Sequence, residues 1–478
     1  MTSPRPKDSI IRGANEVLRP DRAHAGDEEE VVYTPDSLDE QDNAPPNAEP
    51  HLVKRLPGAD EIKKNTLESV IFRALATPLS IGLTVLMAHE LGPAGVGKYS
   101  LAVMTVLLFS RVLSDLGNAA TREIGNNEDR VGPVTALALR LCIIFAPIGI
   151  LAAIALTQAP SLFGQSKSID VELAILAAVA IAPNIIRQTV AGILVGLSRV
   201  RLWNYLQIAP GVLAFVGFLI LVTALDMGVN GAILAWAIGH AITAVAALVL
   251  TRRIWLPHLR ARLPKKTTLR LLKIALTMGA VNVIVFVNYR VEFAFLEAMR
   301  GTEDVGVYKT ATQVAEMLWL VTTAIATATW TTVLHEREDR AVSVVVRSCL
   351  KGIFYMGIGA VGVAILAPTI VPLVLTKQFA DATSPLMWLL PGILFYGPVS
   401  ILAIYISVRH RRPHYALVGP LISIAVTVGL AYVLIDRYGV DGAAMSTSAG
   451  YIVSALVSWI MFVRLAGASW FGRAVRSA

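Results

Sequence analysis

Blocks of about 20 apolar residues recur along the chain from about residue 67 onward, the length a helix needs to cross roughly 30 Å of hydrocarbon. Inside a bilayer the backbone finds no water, so only helices and closed barrels can span it. Ten-residue alternation, the mark of a membrane barrel, is absent. We place spans near 67–90, 98–121, 133–157, 171–194, 203–224 and 229–250, and a second set near 270–298, 305–333, 346–375, 383–408, 415–435 and 442–464. Charged residues make up 16% of the chain, against about 25% in soluble domains. The fold class expected is an all-α polytopic membrane protein of about 12 transmembrane helices.

The net charge of +8 does not point to nucleic acid, because the basic residues are sorted by connection. Connections after even-numbered spans hold 18 Lys and Arg, and those after odd-numbered spans hold six: Lys98, Lys167, Arg300, Lys309, Lys377 and Arg437. The positive-inside rule then puts both termini in the cytoplasm. Residues 1–62 carry "DEEE" and "NAPPNAEP" and no apolar block, which reads as a disordered tail without a signal peptide. Within it, "SIIRGANEVL" has the pattern of a short amphipathic helix. Cys142 and Cys349 both lie in apolar blocks, so neither a disulfide framework nor a metal motif is expected.

The two halves repeat each other. "GPAGVGKYSLA" at 92–102 returns as "GTEDVGVYKTA" at 301–311, "RVRLWNYLQIAP" at 199–210 as "RHRRPHYALVGP" at 409–420, and "GVNGA" at 228–232 as "GVDGA" at 439–443. The order is the same and the offset nearly constant. Six spans per half is an even number, so both halves start from the same side, as parallel repeats do. The expected organisation is a tail (1–62), an N-lobe of spans 1–6 (63–250), a basic linker (251–268), a C-lobe of spans 7–12 (269–466) and a C-terminus (467–478), with a parallel pseudo-two-fold between two six-helix lobes.

At these residues the chain resembles a known family. "HELGPAGVGKYSLAVMTVLLFSRVLSDLGNAATREIG", "YRVEFAFLEAMRGTEDVGVYKTATQVAEMLW" and "YGVDGAAMSTSAG" look like bacterial oligosaccharide flippases of the multidrug/oligosaccharidyl-lipid/polysaccharide exporter superfamily. The resemblance implies a flippase that turns polyprenyl-pyrophosphate sugars from the inner to the outer leaflet of the bacterial cytoplasmic membrane, by alternating access, for cell-surface polysaccharide. It implies lipid-linked glycan and membrane lipids as partners, with a polysaccharide polymerase or glycosyltransferases nearby. Family members often carry Asp where this chain has Glu292, and many have 14 spans. The alternative is a cation-coupled multidrug or small-molecule exporter of the same superfamily. The chain has no Walker A pattern, catalytic triad spacing or metal-ligand cluster, so neither an enzyme nor a cofactor is expected. A membrane-embedded polymerase would want a large external loop, and the longest here is about 157–170. A major-facilitator transporter would carry a basic run after its second span, where this chain has "SDLGNAATREIG".

Charges inside the spans supply candidate site residues, because a charge at mid-bilayer costs about 2.5–3.5 kcal/mol on insertion scales unless it meets a cavity or partner. "VFVNYRVEFAFLE" at 285–297 places Asn288, Arg290 and Glu292 at alternate positions of one helix, so Arg290 and Glu292 face different sides. Their counterparts in the first half, Ile81 and Leu83, are apolar, so the repeat itself does not require the charges. Arg111, Asp115, Asn118 and Arg122 form a stripe in the second span, where Arg111 and Asp115 are spaced to pair. Lys309, Gln313 and Glu316 form another in the eighth. For the implied pyrophosphate, Arg73, Arg111, Arg290, Asn288 and Lys309 are the candidate substrate contacts, the guanidinium fork being suited to phosphate. Glu292, Glu316 and Asp115 are the candidates for H⁺ or Na⁺ coupling.

Overall fold

The computed structural model describes residues 59–125, 127–162, 169–410 and 412–467; the side chains of 59–77, 159–162, 331 and 413 also fall outside that description. The tail segment "SIIRGANEVL" therefore lies outside the described residues, as do 468–478. Among the described residues the chain is almost wholly helical and contains no strand.

The helices are α1 (Ala59–Arg111), α2 (Leu116–Ile124), α3 (Val131–Leu162), α4 (Val171–Ala178), α5 (Ile181–Gly196), α6 (Val200–Phe218) and α7 (Gly228–Trp255) in the first half. The second half holds α8 (Lys265–Arg300), α9 (Thr302–Glu316), α10 (Trp319–His335), α11 (Glu338–Leu375), α12 (Thr383–Tyr396), α13 (Val399–Ala403) and α14 (Pro413–Ala466). Among the described residues, nine helical stretches are long and apolar enough to cross a membrane. Two of them, α1 with α2 and α14, each double back at a glycine, and α9 with α10 make a further pass from two helices too short to be counted singly. Among the described residues the result is 12 passes, six in each half. Large apolar side chains such as Ile143, Leu151, Ile365 and Leu373 are exposed on the outer faces, an arrangement suited to lipid rather than water.

The repeat is visible in the backbone. Gly92 breaks α1 with φ 61 and ψ −178, and its counterpart Gly301 separates α8 from α9 with φ 93 and ψ −176. Both conformations are readily open to glycine and rarely to residues with a Cβ. Gly228 and Gly439, the first residues of the two GVxGA motifs, share φ values of 54 and 55. These two shared motifs thus encode a glycine-dependent turn at the same place in each half.

The pseudo-two-fold is also visible where the halves meet. α1 packs along α9, and the equivalent glycines Gly97 and Gly306 lie against each other. A Cβ on Gly97 would sit 1.8 Å from the Thr302 carbonyl oxygen, and one on Gly306 would sit 1.9 Å from that of Pro93. We call this end, where the connections after odd-numbered spans lie, the far end; the opposite end, bearing most of the Lys and Arg, is the basic end.

Three expectations are corrected. The second span is not one helix: α1 stops at Arg111, residues 112–115 form a turn, and α2 begins at Leu116. The Ser114 hydroxyl donates to the Arg111 carbonyl (2.9 Å), and backbone bonds tighten to i→i+3 through the turn, a local competition that Ser commonly offers a helix. Lys309 belongs to no connection, because α9 already begins at Thr302 and carries it two turns inward. The basic linker is also shorter than expected. α7 continues to Trp255 and α8 begins at Lys265, so Arg252, Arg253, Lys265 and Lys266 extend helix ends.

Candidate functional site

α8 and α9 bring together charges that lie far apart in sequence. Arg290 donates from Nη1 to Glu316 Oε1 (2.6 Å) and from Nη2 to Glu316 Oε2 (2.9 Å), a forked pair between the two helices. Its Nη1 also reaches the Tyr289 carbonyl at 2.9 Å. The side chains are 20% and 22% exposed, so the pair is partly open. Such bidentate, charge-assisted bonds are the strong class. About two helical turns from Glu316, Lys309 donates to Gln313 Oε1 (2.9 Å), a neutral partner. Gln313 in turn donates across to α1, reaching Thr84 Oγ1 (2.5 Å) and Ser80 Oγ (3.5 Å). Two cations and one carboxylate leave this cluster one positive charge in excess.

An apolar groove borders the cluster. It has a volume of about 240 Å³ and runs between α1 (Ile81, Val85), the end of α9 and the turn after it (Val314, Met317) and α11 (Leu366, Ile370), with Thr84 and Gln313 on its wall. The polar bridge between the halves is therefore also part of the apolar groove.

Glu292 occupies a different side of α8 and is fully buried. Its Oε1 accepts from the Tyr308 hydroxyl (3.1 Å). Since that proton is spent on Glu292, Thr447 donates to the Tyr308 oxygen at 2.9 Å. One turn earlier, Asn288 donates to Tyr396 Oη (3.4 Å). Tyr289, Trp319, Tyr396 and Tyr451 wall the space with ring centroids 4.8–6.2 Å apart. Two buried acceptors have no partner, Glu292 Oε2 and Asn288 Oδ1. Buried polar atoms are ordinarily bonded, and these two unmet acceptors, one helical turn apart, have the chemistry to take up a proton or a cation.

The remaining expected residues lie elsewhere. Asp115 forms no ion pair with Arg111; its Oδ1 accepts from Asn118 (2.5 Å) and its Oδ2 from Asn282 of α8. The broken helix removes the spacing that suggested the Arg111 pair. Arg111 is exposed beside this contact, at the height of Gly279, where a Cβ would meet the Val112 carbonyl oxygen at 2.0 Å. Eleven residues of α8 separate Gly279 from Arg290, roughly 16 Å at 1.5 Å per residue. Arg111 thus stands nearer the basic end than the Arg290 cluster. The side chain of Arg73 lies outside the described residues. Of the five expected substrate contacts, Arg290 and Lys309 are brought together, Asn288 is turned into the C-terminal half, and Arg111 is apart.

Sequence reasoning passed over a second crossing between the halves. Glu123, at the end of α2, accepts on Oε1 from Arg130 (3.2 Å) and from Arg270 of α8. In the sequence Arg270 is one of the 18 basic residues sorted to the even-numbered connections, and Glu123 carries no signal beyond being an acid at a span end. Arg187, deep in α5, is held entirely by neutral groups: Gln207 (2.6 Å), Asn184 (3.1 Å) and the Leu206 carbonyl (3.2 Å). Among the described residues no group of His, Cys, Asp and Glu could hold a metal ion.

This geometry can now be set beside known proteins. A family model described as polysaccharide biosynthesis protein matches residues 62–336, more than half of the chain. The chain belongs to the polysaccharide biosynthesis protein family. Among curated proteins none matches it closely enough to count as a relative. Solved structures share its fold. The lipid II flippase MurJ in an inward closed conformation superposes with a TM-score of 0.68 at 14% identity, covering 84% of this chain and 90% of that one. An inward-facing multidrug resistance MATE transporter of the MOP superfamily gives 0.67 at 18% identity, covering 82% and 95%. A MOP superfamily transporter from Pyrococcus furiosus gives 0.62 at 17%, covering 85% and 95%. This member of the polysaccharide biosynthesis protein family thus shares the multi-pass helical fold of those transporters and of that flippase.

Proposed function

We propose that the protein moves a polyprenyl-diphosphate-linked oligosaccharide from the inner to the outer leaflet of the bacterial cytoplasmic membrane by alternating access. One observation carries the reading: the apolar groove and the charged cluster share a wall at Thr84 and Gln313. A lipid-linked glycan is amphipathic in the same sense, with a tail that stays in hydrocarbon and an anionic headgroup that must leave it. The groove suits the tail. Lys309 and the Arg290 fork, with their excess positive charge, suit the diphosphate.

In this reading the two six-pass halves move as lobes about the short basic connection between α7 and α8, and both termini are cytoplasmic. Arg111 and Arg73 are further headgroup contacts on the path from the basic end. Asp115 holds Asn282 and closes that path when no substrate is present. Glu292 and Asn288 bind the coupling H⁺ or Na⁺ through their unmet acceptors. Polymerase or glycosyltransferase enzymes receive the product at the outer surface. A cation-coupled exporter of small molecules would use the same Glu292 site, but would have no need of an apolar groove open beside the charge cluster.

The test is reconstitution. In proteoliposomes loaded with a lipid-linked oligosaccharide of defined chain length, the sugar should become accessible to an added glycosidase on the opposite leaflet. No protein-dependent exposure would sink the reading. Glu292→Gln is expected to reduce that rate at least tenfold and abolish its dependence on an imposed ion gradient. An unchanged rate with intact gradient dependence would remove Glu292 from coupling. Arg290→Ala and Arg73→Ala each retaining wild-type export would refute the headgroup contact.

A further inference from the structure

The basic end has a charged pocket that the transport reading does not use. It is lined by Arg122, Glu123, Asn127 and Arg130 from the α2–α3 corner and by Arg270 and Ile274 of α8, with a volume of about 410 Å³. That lies in the size range of ligand pockets, roughly 300–1,000 Å³. Three guanidiniums face one carboxylate, so two positive charges are left over. Glu123 is sunk, with a side chain 2% exposed, while Arg130 and Arg270 are 48% and 54% exposed. Only one oxygen, Oε1, takes both arginines, each through a single nitrogen. Each guanidinium has five N–H donors, so most remain available to a ligand.

The halves are joined ionically here. Arg270 belongs to the C-terminal half, whereas Glu123 and Arg130 belong to the N-terminal half. Any anion arriving from solution meets the exposed arginines before the sunken carboxylate. A diphosphate offers more charge and more acceptor oxygens than one carboxylate oxygen, and in forked geometry.

We infer that this pocket is a diphosphate-recognition site whose occupant draws Arg270 away from Glu123 and so unlatches the basic end. Identifying the occupant as the substrate's own headgroup rests on the flippase reading above; the site and its latch do not. The pocket suits an anion with several acceptor oxygens, and the contact between Arg270 and Glu123 stays closed in its absence. The same chemistry could be presented by an anionic membrane lipid, and the experiment separates the two sources.

The full chain with Cys142→Ala and Cys349→Ala receives spin labels at Asp129→Cys and Leu269→Cys, exposed positions on either side of the pocket. It is placed in phosphatidylcholine nanodiscs, and the label separation is measured while inorganic pyrophosphate is titrated in. A longer-distance population should appear with pyrophosphate. Glu123→Gln should show that population without any anion. Arg122→Gln leaves the Glu123–Arg270 contact in place, so it should stay closed without anion and need at least tenfold more pyrophosphate. A wild-type separation unmoved by millimolar pyrophosphate overturns the site. A Glu123→Gln protein that stays closed overturns the latch. If phosphatidylglycerol nanodiscs alone open the wild type fully, the occupant is membrane lipid and the substrate assignment falls. The probe has neither tail nor sugar, so failure of lipid-linked glycan to move in proteoliposomes would leave this result standing.

Discussion

Glu316→Ala is expected to lower stability by about 3 kcal/mol, at the low end of the range for breaking a buried ion pair, because a fifth of each side chain is exposed. The loss comes less from the missing attraction than from Arg290, which is left with the Tyr289 carbonyl as its remaining bond. Thermal unfolding of the detergent-solubilised protein, followed by size-exclusion of the surviving fraction, would measure it. A paired change, Arg290→Met with Glu316→Leu, should recover most of that stability, since apolar groups of similar volume remove both charges at once. It should not recover transport. That contrast separates the structural from the functional role: recovery of both stability and transport would reduce the pair to a scaffold contact.

Gly306→Ala carries the second large effect. The new methyl would lie 1.9 Å from the Pro93 carbonyl oxygen, a backbone atom with no rotamer to escape into. α1 and α9 must then part by more than an ångström at the far end. Overpacking of this kind costs about 1–3 kcal/mol, and here it falls wholly on the state in which the far end is closed. A cysteine at Val307, buried and next in sequence to Gly306, should react with a membrane-impermeant maleimide at least tenfold faster in the Gly306→Ala protein. Gly357→Ala on α11 serves as the control, because a Cβ there meets nothing within 4 Å. Equal labelling in the two variants would show that the far end does not close on Gly306.

The architecture was largely legible because its causes are local. Apolar length sets the number of passes, and the shared motifs fix the reversals at Gly92, Gly301, Gly228 and Gly439 through a backbone conformation that glycine adopts easily. The break at 112–115 was hidden, since a Ser hydroxyl bonding back to Arg111 does not change hydropathy. The site was legible as a set of anomalies but not as a set of partners. Helical periodicity sorts residues on one helix, and so it separated Arg290 from Glu292. It has no information on Arg290 and Glu316, 26 residues apart on different helices, or on Glu123 and Arg270, separated by 147. Those pairings follow from how helices pack, and the charges at helix ends were indistinguishable from ordinary interfacial ones.

The Gly97–Gly306 contact has a consequence for how the molecule answers its surroundings. One end is closed by backbone against backbone, with no ionisable group in the contact; the other is closed partly by half-exposed arginines. Dissolved salt screens the second and leaves the first untouched. Rising ionic strength therefore weights the two closures unequally and tilts the resting population toward opening on the basic side. The two halves of one repeat are thus fastened by different kinds of bond at their two ends, and salt acts on only one of them.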